Sequence, residues 1–243
     1  GSLTASHNVR ASERTGHPGT CKMCAEMRMI RMEPYIITIA RETGSGGTSI
    51  AKKLSEAFNI PYYDRDLLTM ASDFSGIDKG LFGKADERIG WKEMIFSAKK
   101  VYTGEILPPD DDDYISTRNL FSFQAKIIKD LAKSESCIVI GRCANYLLKD
   151  YPNVLRLFIC APDDARFNHL KEMHVAPTDA AIIKYMHKED KRRSAYYHYY
   201  TGEEWRDIGG YDLCLDSHAY GVDGCAEIVK KIFPILHPGV KLG

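Results

Sequence analysis

The sequence contains no apolar stretch long enough to span a membrane and no excess of charge of either sign. Its best apolar run, residues 154–161, is interrupted by Arg156, whereas a membrane-spanning helix needs about 20 apolar residues. The 33 Lys and Arg residues balance the 33 Asp and Glu residues, so the chain exerts no long-range attraction on polyanions. We therefore expect a soluble protein that binds neither membranes nor nucleic acids.

Disulfide bonds are not expected from the seven cysteines. Their number is odd, and four of them lie in or beside apolar segments, where a free thiol behaves as a small buried hydrophobic group. These four are Cys137, Cys143, Cys160 and Cys214. The sequence therefore predicts a reducing, cytoplasmic compartment.

A second cysteine pair at metal-ligand spacing is also absent. Cys21 and Cys24 lie close to His17, and closely spaced thiolates and imidazoles are typical of structural zinc sites. Because these three ligands do not complete a tetrahedral site, we interpret residues 1–33 as a flexible N-terminal arm. The other histidines show no H-E-x-x-H spacing, and no Ser/His/Asp or Cys/His signature is visible.

Apolar segments of strand length alternate with helical segments in the rest of the chain. Strands are predicted at residues 35–40, 62–63, 137–140, 154–160 and 211–215. Helices are predicted at residues 48–58, 65–71, 118–133, 163–173, 178–200 and 223–232. This alternation predicts an α/β fold in which a parallel sheet carries helices on both faces. We place one domain at residues 34–236 and a short tail at residues 237–243.

Residues 73–117 are the least regular part of this predicted domain. They contain scattered glycines, a pair of prolines and the aspartate run at residues 110–113. Like charges in such a run repel one another and resist packing. We expect a mobile insert with one or two helices.

A glycine-rich segment follows the first predicted strand and leads into a helix. In an open parallel sheet, such a turn offers backbone N–H groups and a positive helix end to phosphate. Against the phosphate-loop pattern G-x-x-x-x-G-K-[ST], Gly46 and Thr48 are in register. Arg41 stands at the first glycine, however, and Gly47 stands where lysine belongs. The alternative interpretation is an ordinary tight turn before a helix capped by Thr48 or Ser49.

The phosphate-binding hypothesis assigns the donor phosphates to a continuous set of residues. This set is Thr43, Gly44, Ser45, Gly46, Gly47, Thr48 and Ser49. Backbone amides would hold the phosphates, and the Thr48 hydroxyl would be a ligand of Mg²⁺. Arg41 would supply the positive charge that the missing lysine cannot.

Five short segments carry a resemblance to a known family. They read Ile-Thr-Ile-Ala-Arg-Glu (37–42), Gly-Ser-Gly-Gly (44–47), Ile-Ala-Lys-Lys-Leu (50–54), Tyr-Tyr-Asp (62–64) and Ile-Val-Ile-Gly-Arg-Cys-Ala (138–144). Together they resemble the cytidylate kinase-like family, including its loop without lysine, and the resemblance spans residues 35–233. It implies a P-loop nucleoside monophosphate kinase-like fold with a five-stranded parallel sheet. It also implies an acceptor-binding insert at about 73–117 and an arginine-bearing helical lid at about 174–205.

Phosphoryl transfer requires mainly positioning and positive charge around the transferred group. The candidates for this role are Arg41, Arg142, Arg192 and Arg193. Arg142 follows a predicted strand directly and resembles the arginine of the family's Asp-Gly-Arg-Asp segment, although Ile140 and Cys143 replace its acids. A surface ion pair is the alternative for Arg142, and a solvated helix face is the alternative for residues 191–193.

Four further residues have weaker claims to the site. Arg166 resembles a family arginine that binds substrate, but it could instead pair with neighbouring acids. Asp64 resembles a family residue near the acceptor nucleotide and the metal, and it could also cap the helix at 65–71. Asp216 resembles a residue near the adenine end, and we favour a structural capping role for it. We expect Gln124 to be a satisfied buried amide.

The expected reaction is transfer of the γ-phosphoryl group of ATP, with Mg²⁺, to a nucleoside monophosphate. The resemblance favours CMP or dCMP as the acceptor, and no general base is needed because a phosphate acceptor is already anionic at neutral pH. Two alternatives stay open: a nucleotide-binding or sensing protein without turnover, and a kinase for another small metabolite. The sequence leaves the oligomeric state open.

Overall fold

The structure of the protein is a computed structural model that describes residues 33–88 and 102–238. Cys21, Cys24 and His17 of the predicted N-terminal arm lie outside the described residues, as do residues 89–101 of the predicted insert.

A five-stranded parallel sheet forms the centre of the described chain. Its strands are β1 (Ile36–Arg41), β2 (Tyr62–Tyr63), β3 (Cys137–Ile140), β4 (Val154–Cys160) and β5 (Leu213–Asp216). Their order across the sheet is β2-β3-β1-β4-β5, and every neighbouring pair is parallel. The α/β fold with a five-stranded parallel sheet is therefore confirmed.

The strands are connected by helices that lie on both faces of the sheet. The helices are α1 (Gly47–Phe58), α2 (Asp66–Ser75), α3 (Lys79–Arg88), α4 (Thr117–Ser134), α5 (Ala144–Leu147), α6 (Asp163–Glu172), α7 (Asp179–Thr201) and α8 (Ser217–Leu236). A short 3₁₀ helix, Ile208–Gly210, precedes β5. In the described ranges, no helix combines the length and the apolar character that crossing a membrane requires.

Successive side chains of β1 enter two different cores because strand side chains alternate between faces. Ile37 and Ile39 pack in a cluster with Leu54 of α1 and Phe233 of α8. Ile36 packs on the opposite face, in the larger cluster to which α2, α4 and α7 contribute. Burial on both faces explains why the central strands read as continuous apolar runs.

Two element starts differ from the sequence-based prediction by more than one residue. β5 begins at Leu213 rather than at residue 211, because Tyr211 is the C-cap of the 3₁₀ helix and its backbone N–H bonds to Ile208 instead of to a strand. α8 begins at Ser217 rather than at residue 223, and the Asp216 side chain accepts hydrogen bonds from its first N–H groups. Gly221, with φ of +67°, interrupts the regular helix near its start. The helical spacing of apolar residues is therefore visible only after Gly221, so the first turn was not predicted.

The buried centre of the sheet should be the most sensitive part of the fold. Ile39→Ala removes a side chain that is 0% exposed and should lower the free energy of unfolding by about 2–5 kcal/mol. Ile183→Ala is the matched control, because Ile183 is 45% exposed and its loss should change stability by only about 0.5 kcal/mol. Urea denaturation followed by circular dichroism measures both, and equal losses would contradict this description of the core.

Candidate active site

The carboxyl ends of β1, β2 and β3 meet at one edge of the sheet. β1 lies centrally between β3 and β4, so the chain crosses to opposite sides of β1 at this point. Ligands of open parallel sheets bind in the crevice at such a switch point. The glycine loop follows β1, Asp64 follows β2, and Gly141 and Arg142 follow β3, so the topology brings these sequence-predicted residues to one edge.

The glycine loop ends in a helix start that has no side-chain cap. Gly46 is the N-cap of α1, in the left-handed conformation with φ of +74°, and no side chain caps the helix. The prediction that Thr48 or Ser49 caps this helix is therefore wrong: both lie inside its first turn and are exposed. The first N–H groups of a helix have no acceptor within it, so this turn offers donors to an anion.

Close backbone contacts restrict the loop to glycine at Gly44. Its φ is +84°, and a Cβ atom there would lie 2.7 Å from the backbone oxygen of Arg166. Ser45 is buried, and its hydroxyl donates to the backbone oxygens of Glu42 and Ile159. Ser217 donates in turn to the backbone oxygen of Ser45 over 2.6 Å. The Ser45 side chain thus holds the loop in shape from within.

The two departures from the phosphate-loop pattern compensate each other in space. A Cβ atom on Gly47 would lie 2.5 Å from Cβ and 2.9 Å from Cγ of Arg41. The Arg41 side chain therefore occupies the space that a lysine at position 47 would need. Its guanidinium group extends toward the end of β3, where a Cβ atom on Gly141 would lie 2.6 Å from Nη1 of Arg41.

The guanidinium group of Arg41 lies among other cations with one acid beside it. Its Nη2 is 3.3 Å from Oδ2 of Asp64, so Asp64 pairs with Arg41 and the N-cap of α2 is Arg65 instead. Burial, and then the nearby charges of Arg193 and Arg142, lower the pKa of Arg41 to about 10. A bound anion would raise this pKa again, because it stabilises the charged form of the guanidinium group.

These groups line a cleft of about 180 Å³. It contains five arginines, Arg41, Arg65, Arg142, Arg192 and Arg193, and two acids, Asp64 and Glu189. The protein as a whole has zero formal charge, so the positive charge is concentrated locally. Such a cleft suits a ligand with several negative charges, as a nucleotide phosphate has.

The turn after β3 holds Arg142 in an unusual backbone conformation. Gly141, Arg142 and Cys143 have φ of +73°, +56° and +55°. All three lie in the left-handed region, which residues other than glycine rarely adopt. Backbone strain of this kind is often found at functional sites. Nη1 of Arg142 is 3.3 Å from Oε1 of Gln124, so the buried Gln124 amide orients this arginine, as a satisfied amide would.

The cations of α7 differ in what they contact. Arg192 donates to Glu189 through Nε and Nη2, at 3.1 and 3.0 Å. Arg193 donates to the backbone oxygen of Arg41 and to the hydroxyl of Thr43, at 3.3 and 2.8 Å. Burial lowers the pKa of Arg193. Both line the cleft, so the run at residues 191–193 is more than a solvated face.

Arg166 lies behind the loop rather than in the lining of the cleft. It is 2% exposed, and its Nη1 and Nη2 donate to Asp190 and Asp163 at 2.5 and 2.6 Å. Burial alone would lower the pKa of Arg166, but these bonds outweigh burial and raise it. Arg166 also donates to the backbone oxygen of Thr43 over 3.2 Å, so it supports the loop as part of an ion network.

Several lining residues were not identified from the sequence. These are Arg65, Asn145, Tyr185, Glu189, Tyr196, Tyr197 and Trp205. Arg65 and Asn145 directly follow the segments at 62–64 and 138–144, which is the signal that could have identified them, whereas the others lie in segments without a local motif. Asp190 was also missed, because an acid within a charged helical run resembles a solvent-exposed residue.

A protein-only metal site is not present in the part of the chain that the structure describes. No group of three or more His, Cys, Asp or Glu side chains there could hold an ion. Mg²⁺ is often held by one or two protein oxygens together with substrate phosphates. The exposed Thr48 hydroxyl at the loop could serve as such a protein oxygen beside bound phosphates.

Comparisons with known proteins agree with this geometry. A model described as the cytidylate kinase-like family matches residues 36–219. A cytidylate kinase from Pyrococcus horikoshii is 23% identical over 206 residues, which cover 85% of this chain and 92% of that protein. A cytidylate kinase from Methanococcus aeolicus is 24% identical over 198 residues, or 81% of this chain and 96% of that protein. The crystal structure of an uncharacterized protein from Eubacterium ventriosum has a TM-score of 0.60 at 27% identity and covers 82% of this chain and 98% of that chain.

The contact between Arg41 and Gly47 predicts a coupled effect on stability. Gly47→Ala should lower the free energy of unfolding by about 1–3 kcal/mol, because the added methyl group overlaps the Arg41 stem. In an Arg41→Gly background the same substitution should cost little, since both overlapping atoms are gone. Gly83→Ala is the control, because Gly83 lies in α3 with nothing within 4 Å of the added Cβ. Urea denaturation measures the cycle, and an equal penalty in both backgrounds would refute the coupling.

Proposed function

Because the chain belongs to the cytidylate kinase-like family, we propose that it transfers the γ-phosphoryl group of ATP to CMP or dCMP. The protein is a nucleoside monophosphate kinase-like phosphotransferase with an α/β P-loop fold. The relatives from Pyrococcus horikoshii and Methanococcus aeolicus are cytidylate kinases, which supports a cytidine nucleotide as the acceptor.

The arginine-lined cleft beside the glycine loop is the observation that carries this proposal. Phosphoryl transfer needs little covalent chemistry from the protein and depends on alignment and on charge stabilisation. Five guanidinium groups around a cleft of about 180 Å³ meet that need. No general base is assigned, because the phosphate of the acceptor is already ionised.

We assign the donor phosphates to residues 43–49. The open N–H groups at the start of α1 and the left-handed backbone at Gly44 and Gly46 support this assignment. Ser45 would contribute by shaping the loop, since its hydroxyl is used within the loop and its backbone N–H donates to the backbone oxygen of Glu42 over 3.2 Å. Thr43 would contribute in the same way, because its backbone N–H and hydroxyl donate to Asp190. Thr48 would be a ligand of Mg²⁺, and when bound this ion would neutralise charge on the phosphate oxygens.

We assign the acceptor phosphate to Arg142 and the transferred charge to Arg41, Arg192 and Arg193. A guanidinium group can bind a phosphate through two parallel hydrogen bonds, and the left-handed turn at Arg142 sets the direction of its side chain. Asp64 would hold Arg41 in place through its ion pair. Arg166 would act on substrate indirectly, as a support of the loop.

The proposal also includes an acceptor-binding insert and a lid around the site. We place the acceptor-binding insert at about residues 73–117 and the lid at about residues 174–205. The second range contains α7, whose buried C-terminal residues Tyr196 and Tyr200 pack in the larger core cluster. Closure would therefore involve mainly the N-terminal part of this helix and the segment before it.

Product analysis tests the proposed reaction. With ATP and Mg²⁺, we expect conversion of CMP and dCMP to diphosphates, and slower or no conversion of AMP, GMP and UMP, because the acceptor is proposed to be a cytidine nucleotide. Chromatography of the nucleotides measures the products. ATP binding by calorimetry without any diphosphate from this panel would refute the proposal.

Arg142→Ala and Arg156→Ala provide the matched pair for this test. Arg142→Ala should raise the acceptor KM and lower kcat, each by about tenfold or more, because a charge-assisted bidentate contact is lost. Arg156 of β4 pairs with Asp212 and is not in the cleft lining, so Arg156→Ala should leave both constants close to those of the wild type. Unchanged kinetics in Arg142→Ala would remove this residue from the site.

A charge exchange within the loop tests the role of Arg41. Arg41→Gly should lower kcat by about 100-fold, as expected for loss of a group that stabilises transition-state charge. Adding Gly47→Lys to Arg41→Gly should recover much of the loss, because the space beside Gly47 is then open. Arg41→Gly with Gly47→Gln is the neutral control of similar length. If glutamine rescues as well as lysine, the charge of Arg41 is not what the reaction uses.

A further inference from the structure

A buried carboxylate on α7 lies against the loop, outside the lining of the cleft. Asp190 is 6% exposed. Its Oδ1 accepts hydrogen bonds from the backbone N–H and the hydroxyl of Thr43, at 2.8 and 2.7 Å. Its Oδ2 accepts from Arg166 and Arg206, at 2.5 and 3.3 Å. With donors on both oxygens, this carboxylate is held in a single orientation.

The hydroxyl of Thr43 lies between a group that can only accept and a group that can only donate. An ionised carboxylate has no proton to give, and a guanidinium group has no lone pair to offer. The Thr43 proton therefore points to Asp190, and an oxygen lone pair faces Nη1 of Arg193, 2.8 Å away. Asp190 thus determines which side of the hydroxyl receives Arg193.

Helix geometry brings Asp190 and Arg193 to the same loop residue, Thr43. Asp190 and Arg193 are three positions apart on α7, and side chains at this spacing share one face of a helix. Arg193 also donates to the backbone oxygen of Arg41 and lines the cleft. One face of α7 consequently holds both ends of the segment from Arg41 to Thr43.

Asp190 lies between two regions where α7 packs against other elements. Before it, Ile182 and Met186 pack with Leu170 of α6 in a small separate cluster. After it, Tyr196 and Tyr200 belong to the larger core. Asp190 therefore joins the helix to the loop between these two packed regions.

We infer that Asp190 is a positioning residue that orients Arg193 toward bound phosphate by way of the Thr43 hydroxyl, with support from its own ion pair to Arg193, in which Oδ1 of Asp190 lies 3.6 Å from Nη1. The inference rests on the proposed function, because that function provides the phosphate on which Arg193 acts. Asp190 itself contacts neither the phosphate nor the transferred group in this scheme. Its contribution should therefore be visible only while Arg193 is present.

Binding of inorganic tripolyphosphate, measured by calorimetry, tests this dependence without requiring turnover. Thr43→Val removes the hydroxyl at nearly constant volume and should weaken binding about tenfold, as should Asp190→Asn, because Arg193 loses its orientation. Thr43→Ser should bind more tightly than Thr43→Val, since it restores the hydroxyl. In an Arg193→Ala background, both losses should shrink to less than about threefold.

Asp212→Asn is the matched control. Asp212 also accepts hydrogen bonds from an arginine, Arg156, but neither residue lines the cleft, so its substitution should leave binding unchanged. Thermal melting identifies variants that are not folded, and the Thr43→Val and Thr43→Ser pair decides the question if Asp190→Asn does not fold. Full losses in the Arg193→Ala background would overturn the inference, because a purely structural effect would be additive.

The kcat and KM values of the same variants with CMP separate this inference from the proposed function. Coupled losses in tripolyphosphate binding without phosphoryl transfer by the wild type would support the positioning role and contradict the kinase proposal. Phosphoryl transfer by the wild type, together with losses of tripolyphosphate binding that are the same with and without Arg193, would support the kinase proposal and contradict the positioning role. Failure of the wild type to bind tripolyphosphate would contradict the positioning role, and the product analysis with ATP would still decide the kinase proposal.

Discussion

The side chain of Arg41 fills the space beside two glycines of the site, Gly47 and Gly141. Its stem lies against Gly47, and its guanidinium group lies against Gly141, so a Cβ atom at either glycine would be closer than 3 Å. Protein interiors have no spare volume for such overlap. The stem of one arginine at the end of β1 therefore dictates glycine at the start of α1, whereas at the end of β3 the left-handed φ of +73° is what favours Gly141. The absence of lysine from the loop is a consequence of this packing.

The same packing moves the positive charge of the loop. A lysine at position 47 would carry its charge from the first turn of α1, whereas Arg41 carries it across the cleft toward Asp64. There the guanidinium group meets Arg142 and Arg193, and burial together with these charges lowers the pKa of Arg41 to about 10. A polyanion in the cleft would favour the protonated form of Arg41, so anion binding and protonation would reinforce each other.

Sequence reasoning succeeded where one physical requirement dominates a segment. β3 and β4 were predicted with the bounds that they have in the structure, because burial on both faces demands an uninterrupted apolar run. α7 was predicted to within one residue at each end, since Thr178 caps it. The prediction failed at the start of α8, where Gly221 interrupts the periodicity. It also failed at Asp190, whose burial depends on residues more than 100 positions away.

By itself, the sequence determined the alternation of strands and helices, the glycine loop with its missing lysine, and a family resemblance through short local segments. These features depend on residues that are close in the chain, so their patterns can be read directly. Only the tertiary structure decided that Arg41 occupies the space beside Gly47, that Arg166 lies behind the loop, and that Asp190 holds Thr43. Those outcomes depend on which distant side chains compete for one volume or one hydrogen bond, and only the folded chain brings those competitors together.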